Sequence, residues 1–351
     1  MLKTLIFITL LCSNAFAQNG FEQAKKLFED AQRFEAEKIL KNLPQKNETI
    51  FLLGKIYYYE GNYEKANEQF EKIISQNPNV GEYHLWSGKN NSKRVAKVNF
   101  LKKAFIANSM KNDFKNAIKL EPNNLEARIS LFEFYLQAPM IAGGSVSKAK
   151  NEAKAIFKFD KIQGLIAESR IEEVDGLESK AEKILLEAKK EFSNEAELNF
   201  ALVQFYKRTE QNEKYIQALI EISKIFPNEK SSTFFELGLT EQRNENYKEA
   251  FEFFEKSIQA DSTNFASYYQ FARTSIFANL HLEKGRDYLT NYIQNNRDNS
   301  SPSKSWANFR LGLIYEKLKD FDKAKFHFKE SLRFNPKNEK AKKALKKIEL
   351  N

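Results

Sequence analysis

The residues able to do covalent or metal chemistry are few and scattered. Three histidines, His84, His281 and His327, and one cysteine, Cys12, are all the imidazole and thiol in 351 residues, and no two stand at metal-ligand spacing or form a nucleophile–base pair. A lone cysteine excludes a disulfide framework and a zinc site of paired thiolates. No Gly-x-x-x-x-Gly-Lys loop offers a phosphate cradle, and no Gly-x-Ser-x-Gly elbow presents a serine. Aspartate and glutamate are abundant but interleaved with lysine, the pattern of solvated helix faces carrying surface ion pairs. These types and spacings point away from an enzyme and call for no cofactor and no metal.

The chemistry that remains is binding, and charge locates one candidate. Nine basic residues, Lys89, Lys93, Arg94, Lys97, Lys102, Lys103, Lys111, Lys115 and Lys119, stand against one acid, Asp113, a surplus of eight in a chain whose net charge is +9. Val95, Val98, Leu101, Phe105 and Met110 recur between them at helical spacing, so the segment reads as a long helix with lysines displayed outward. It serves either as a solvated face or as an anion-binding edge. A second candidate is Gly143-Gly144-Ser145, where glycine-freed N–H groups at a helix start can hold an anion, or where glycine makes a turn and Ser145 an N-cap.

The elements positioning these residues must be helices. Only 12 Gly and 7 Pro interrupt the chain, and 42% of its residues are hydrophobic, enough for cores and against wholesale disorder. One unit repeats: Gly61-Asn-Tyr-Glu-Lys-Ala66, Glu245-Asn-Tyr-Lys-Glu-Ala250 and Lys319-Asp-Phe-Asp-Lys-Ala324 each stand between two amphipathic stretches. Pro78, Pro122, Pro227 and Pro336 fall where a second helix closes, a slot in which proline interrupts no internal hydrogen bond.

Leu53, Gly54, Tyr57, Ala66, Phe70 and Pro78, and at the same spacings Leu311, Gly312, Tyr315, Ala324, Phe328 and Pro336, make the chain resemble the tetratricopeptide repeat. Small Gly and Ala let two helices approach while Phe fills the space towards the next unit. The resemblance implies an all-α fold, a right-handed solenoid of helical hairpins. About nine units fall near 20–46, 47–80, 81–124 with the basic insertion, 125–161 with the Gly-Gly loop, 162–195, 196–230, 231–264, 265–304 and 305–338. A capping helix over 339–351 presents Ala341, Leu345 and Ile348 on one face. The unit at 162–195 carries Ser169 in the glycine slot. Both insertions fall between first and second helices of neighbouring units, which puts them on one edge.

The resemblance further implies that first helices line a concave face taking an extended peptide or a partner's helix. The stripe on that face reads Phe51, Leu85, Ile129, Ile166, Phe200, Phe235, Tyr269 and Phe309, continued by Lys55, Tyr58, Lys89, Gln204 and Arg273. Its aromatics serve either a partner or the packing between units. Members that clamp a terminal carboxylate use paired Lys and Asn on this stripe, where the present chain is apolar.

Residues 1–17 place Lys3 before an apolar run from Leu5 to Leu11 and end in Ala15-Phe16-Ala17, the three-part pattern of a secretory signal cleaved before Gln18. Bulky Leu11 before Cys12 argues against a lipid anchor there. The apolar run is far short of the ~20 residues that span a bilayer, and no later stretch comes near, so no transmembrane segment is expected after cleavage. The expected location is the periplasm, with secretion or outer-membrane association as the other exported fates. The expected partner is a protein or peptide held in the groove, with an anionic envelope component as the alternative occupant of the basic edge. Export and an otherwise neutral surface speak against nucleic acid.

Overall fold

A computed structural model describes residues 17–30, 32–192, 195–295 and 302–350; the first sixteen residues of the signal segment lie outside them. All regular structure among the described residues is helical. The chain forms two compact units, Met1–Glu191 and Phe192–Asn351.

In the N-terminal unit, α1 (17–29) and α2 (Arg33–Lys41) precede four hairpins. These pair α3 (Asn47–Tyr59) with α4 (Tyr63–Gln76), α5 (Gly81–Arg94) with α6 (Phe100–Leu120), α7 (Leu125–Gln137) with α8 (Val146–Phe159), and α9 (Lys161–Val174) with α10 (Glu178–Glu191). The C-terminal unit pairs α11 (Ala196–Arg208) with α12 (Asn212–Ile225), α13 (Lys230–Arg243) with α14 (Tyr247–Ala260), α15 (Phe265–Ala278) with α16 (Leu282–Asn295), and α17 (Lys304–Lys317) with α18 (Phe321–Phe334), and ends in α19 (Glu339–Glu349).

The repeated hexapeptide builds the hairpin turn residue by residue. Its first member is left-handed in each copy: Gly61 at φ 74°, Glu245 at 62° and Lys319 at 61°. The second reaches back with its N–H to the carbonyl five residues earlier, Asn62 to Tyr57, Asn246 to Glu241 and Asp320 to Tyr315, each at 2.9 Å. That bond closes the first helix. Asn62 and Asp320 also accept from the backbone N–H groups of Lys65 and Lys323, capping the second helix. The sixth member, Ala66, Ala250 or Ala324, is fully buried. Four residues on, Phe70, Phe254 or Phe328 is fully buried against a first-helix glycine. A Cβ on Gly54, Gly238 or Gly312 would stand 2.5–2.6 Å from that ring, so only glycine admits it at this separation.

Pro78, Pro122, Pro227 and Pro336 each lie two residues past a second helix's end. Ser169 in the glycine slot of α9 is 1% exposed and donates to the Ala181 carbonyl at 2.9 Å, so a hydrogen bond replaces the ring contact. On α19, Ala341 is buried and Ala344, Leu345 and Ile348 pack on the cluster around Phe309, Ala324 and Phe328.

Candidate functional site

In the N-terminal unit the predicted groove residues Phe51, Lys55 and Tyr58 of α3 come together with Trp86 and Lys89 of α5. Lys55 Nζ lies 4.6 Å from the Trp86 ring centroid, 5.4 Å from that of Phe51 and 5.8 Å from that of Phe28 on α1. Lys89 Nζ lies 4.2 Å from the Trp86 centroid and pairs with Glu126 on α7. The rings support one another: Phe51 on Tyr83 at 4.8 Å, Tyr58 on Trp86 at 5.5 Å, Tyr59 on Trp86 at 5.9 Å. Burial lifts the Tyr58 phenol above its usual range. Trp86 is buried, Phe51, Lys55 and Tyr58 are half-buried, and Tyr59 is exposed. No ion pair among the described residues joins Lys55 to a carboxylate. The arrangement holds a cation against π faces with an open tyrosine beside it, suited to binding rather than to bond breaking.

The C-terminal members of the stripe do not form such a surface. Tyr269 is 3% exposed and packs on Tyr292 at 5.2 Å; Phe309 is buried between Trp306 and Phe328. Phe200 is half-buried and stacks on Phe226, and Phe235 is half-buried against Phe254. Of the two readings of these aromatics, packing holds for Tyr269 and Phe309, because the seat beneath each is filled by a ring of the same or the next hairpin. Leu85 is buried, Ile129 and Ile166 are half-buried, and Gln204 is exposed. Arg273 lies over Phe277 at 5.1 Å.

The basic edge is less free than its charge count suggests. Arg94 grips Glu64 through Nε at 3.2 Å and Nη2 at 2.8 Å, and its Nη1 donates to Asn67 and Asn91. That grip holds the Glu64 carboxyl below its usual range. Lys97 covers the Tyr63 ring at 4.5 Å and reaches the Gly61 carbonyl. Lys89 is engaged as described, whereas Lys93, Lys102, Lys103, Lys115 and Lys119 are exposed with no ion pair among the described residues. The lone acid Asp113 accepts from Ser87 at 2.9 Å and Asn91 at 3.0 Å and faces His84 Nδ1 at 3.7 Å. A cleft of about 640 Å³ opens over this network between α4, α5 and α6.

The expected apolar stripe of this segment is only partly observed. Val95, Val98 and Met110 are half-buried, and the Leu101 side chain lies outside the described residues. Phe105 is 76% exposed. Ile106, Ala107, Phe114 and Ala117 are the buried residues of α6 instead, and the first turns of this 21-residue helix lie at the cleft, where Phe105 is part of the lining.

The Gly143-Gly144-Ser145 turn is a structural device, not an anion cradle. Its N–H groups donate to the carbonyls of Met140, Pro139 and Tyr135, while Ser145 Oγ caps α8 by accepting from Lys148. An anion there would have to displace these bonds. A Cβ on Gly144 would fall 1.7 Å from the Ala138 carbonyl oxygen, and Gly143 sits at φ 99°. The two insertions do adjoin: Lys111 Nζ lies 3.2 Å from the position of a Cβ on Gly143. Met140 and Ile141 stand 87% and 93% exposed at the tip.

Family models described as "Tetratricopeptide repeat" match residues 48–80, 231–264 and 305–338, the three hairpins built on the glycine–phenylalanine seat and left-handed turn. Those three hairpins are tetratricopeptide repeats. No curated protein matches its sequence. Among solved structures, a tetratricopeptide repeat protein from Parabacteroides merdae is similar at 13% identity, over 74% of this chain and 98% of that one, with a TM-score of 0.48. The human IFIT1 dimer with m7Gppp-AAAA is similar at 16% identity, over 93% and 79%, at 0.43. PilF of Pseudomonas aeruginosa is similar at 19% identity, over 62% and 95%, at 0.42. The tetratricopeptide repeat is typically a scaffold for other proteins, and no helix among the described residues is long and apolar enough to cross a membrane.

Sequence reasoning did not assign Trp86, Tyr59 and Phe28 to the site. The signal was present for Trp86, one of two tryptophans; the roles of Tyr59 and Phe28 depend on neighbouring helices. Arg310, one residue beyond Phe309, was likewise not assigned.

Proposed function

We propose that this tetratricopeptide-repeat chain is an exported, non-enzymatic scaffold of the bacterial cell envelope, most at home in the periplasm, that holds a partner protein or peptide against the α3–α5 face of its N-terminal unit. The signal-like start and the absence of cysteine after it support export. The observation that carries the binding surface is Lys55: a half-buried ammonium over three aromatic rings, without a carboxylate, beside exposed Tyr59. Such a pocket suits an extended peptide whose acidic group meets Lys55 while an apolar side chain covers the rings. A photo-crosslinking amino acid at position 59 in envelope-resident protein should yield one defined protein adduct, lost in Lys55→Glu. No adduct, or one unchanged by that variant, counts against the proposal.

Phe105, exposed in the cleft that Lys102 also lines, the exposed Met140 and Ile141 on the turn that adjoins Lys111, and the unpaired Lys93, Lys102 and Lys103 favour one second reading: an accessory to envelope lipid or polymer handling that meets an anionic surface with this edge. In that case position 59 gives no protein adduct. Salt-sensitive retention on anionic vesicles is then abolished by changing the three lysines to Glu.

A further inference from the structure

Two guanidinium groups in the C-terminal unit lack what the arginines of the N-terminal ion pairs have. Arg94, Arg128 and Arg170 are each ion-paired to a carboxylate, at 2.8, 3.2 and 2.7 Å. Arg273 on α15 and Arg310 on α17 are also half-buried, yet no ion pair among the described residues reaches either. Arg310 lies 5.0 Å from the Tyr269 ring centroid and 5.8 Å from that of Trp306. Arg273 donates from Nη1 to Gln270 at 3.3 Å, and its Nε is buried with no acceptor.

The two charges also work against each other. Burial lowers the Arg310 pKa first, Arg273 lowers it further, and Tyr269 alone opposes them. Like charges held together in a poorly solvated place are costly unless an anion sits between them. The helices carrying them touch directly, so packing fixes the arrangement. The buried Nε, a donor aimed at nothing in the chain, points the same way.

We infer that Arg273 and Arg310 form an oxyanion seat for acidic side chains within a segment of the partner polypeptide. Guanidinium forks match carboxylates bidentately. The apolar surroundings, half-buried Trp306 and Phe277 at 53% exposure, suit acidic residues interspersed with apolar ones better than a bare phosphate chain. This rests on the scaffold reading but places a second contact in the other unit.

The test uses the full mature chain and a fluorescein-labelled peptide of alternating glutamate and leucine, its glutamine counterpart, and inorganic phosphate. Expected results are binding of the acidic peptide, at least about tenfold weaker for the glutamine peptide and for Arg273→Gln or Arg310→Gln, with partial retention in Arg310→Lys. Thermal unfolding at low salt should show Arg310→Gln no less stable than the parent, since a repulsion is removed. Equal binding by parent and both Gln variants overturns the inference, as does phosphate binding without peptide binding. So does a large stability loss in Arg310→Gln with no response of the parent to either anion, which makes the guanidinium a packing group. If peptide binding fails while the position-59 adduct persists, only this seat is lost; if the adduct fails while the peptide binds through both arginines, the α3–α5 surface is lost and the seat stands.

Discussion

A single missing methyl group sets the spacing of each well-formed hairpin. The rings of Phe254 and Phe328 fill the places where Cβ atoms on Gly238 and Gly312 would stand, and both rings are fully buried. Alanine at either glycine gains about 1 kcal/mol of intrinsic helix propensity, but overpacking of this kind costs about 1–3 kcal/mol. Gly312→Ala should therefore be destabilised in urea unfolding despite the better helix former, and adding Phe328→Leu should make the two changes non-additive by freeing space. An unchanged midpoint would mean the ring moves aside at no cost. This glycine–phenylalanine pairing was legible in the sequence because it recurs at fixed spacing. The fate of Tyr269 was not: its stripe position fits a groove and a core equally, and only Tyr292 from α16 beneath it decides. Nor was the seat in which Asn264 donates to Ser231 and Ser257, echoed by Asn338 with Ser305 and Ser331, since neither serine nor asparagine is marked as buried by its type.

At the scale of the element, five of the hairpin turns are each made with a single left-handed residue, Gly61, Gly176, Glu210, Glu245 or Lys319, and the chain supplies it with whatever stands there. Gly61 and Gly176 take that conformation freely, whereas Glu210, Glu245 and Lys319 take it at φ 56–62°, at a cost of about 1–2 kcal/mol for a residue with a Cβ. Replacing Glu245 or Lys319 by Gly should raise stability, with the entropy of a freer unfolded chain leaving a net gain of about 0.5–1 kcal/mol. Thermal unfolding of the two single variants and the double variant reads it; the gains should add, the turns being far apart in sequence and sharing no partner. The turn's position was legible from Asn-Tyr-Lys-Glu-Ala and its relatives, though its left-handed residue was not, because Gly61 is the only member of the three copies whose type announces it. The α6 insertion divides similarly. Its length and charge are plain in the sequence, while the engagement of Arg94 with Glu64 depends on which helix lies alongside.

At the scale of the whole molecule, one buried histidine and one half-buried one couple the two units to pH with opposite signs. His84 donates from Nε2 to the Pro78 carbonyl at 2.8 Å and turns Nδ1 toward Asp113; its pKa is raised, chiefly by that carboxylate. A base with a raised folded pKa binds its proton more tightly when folded, so its stabilisation is complete below the unfolded value of about 6.5 and fades as pH rises through the folded one. His327, stacked on Tyr315 and bonded to Asn308, has its pKa lowered by burial. Its contribution is present above about 6.5 and is lost as pH falls towards the folded value, because the unfolded imidazole takes up the proton first. Acidification from pH 8 to 5.5 should therefore protect α5 and α6 more and α17 and α18 less. Amide hydrogen exchange corrected for intrinsic rates would show both trends, with His84→Asn flattening the first and His327→Asn the second. Parallel pH trends in the two segments would rule this out, because a single global titration moves every amide in the same direction.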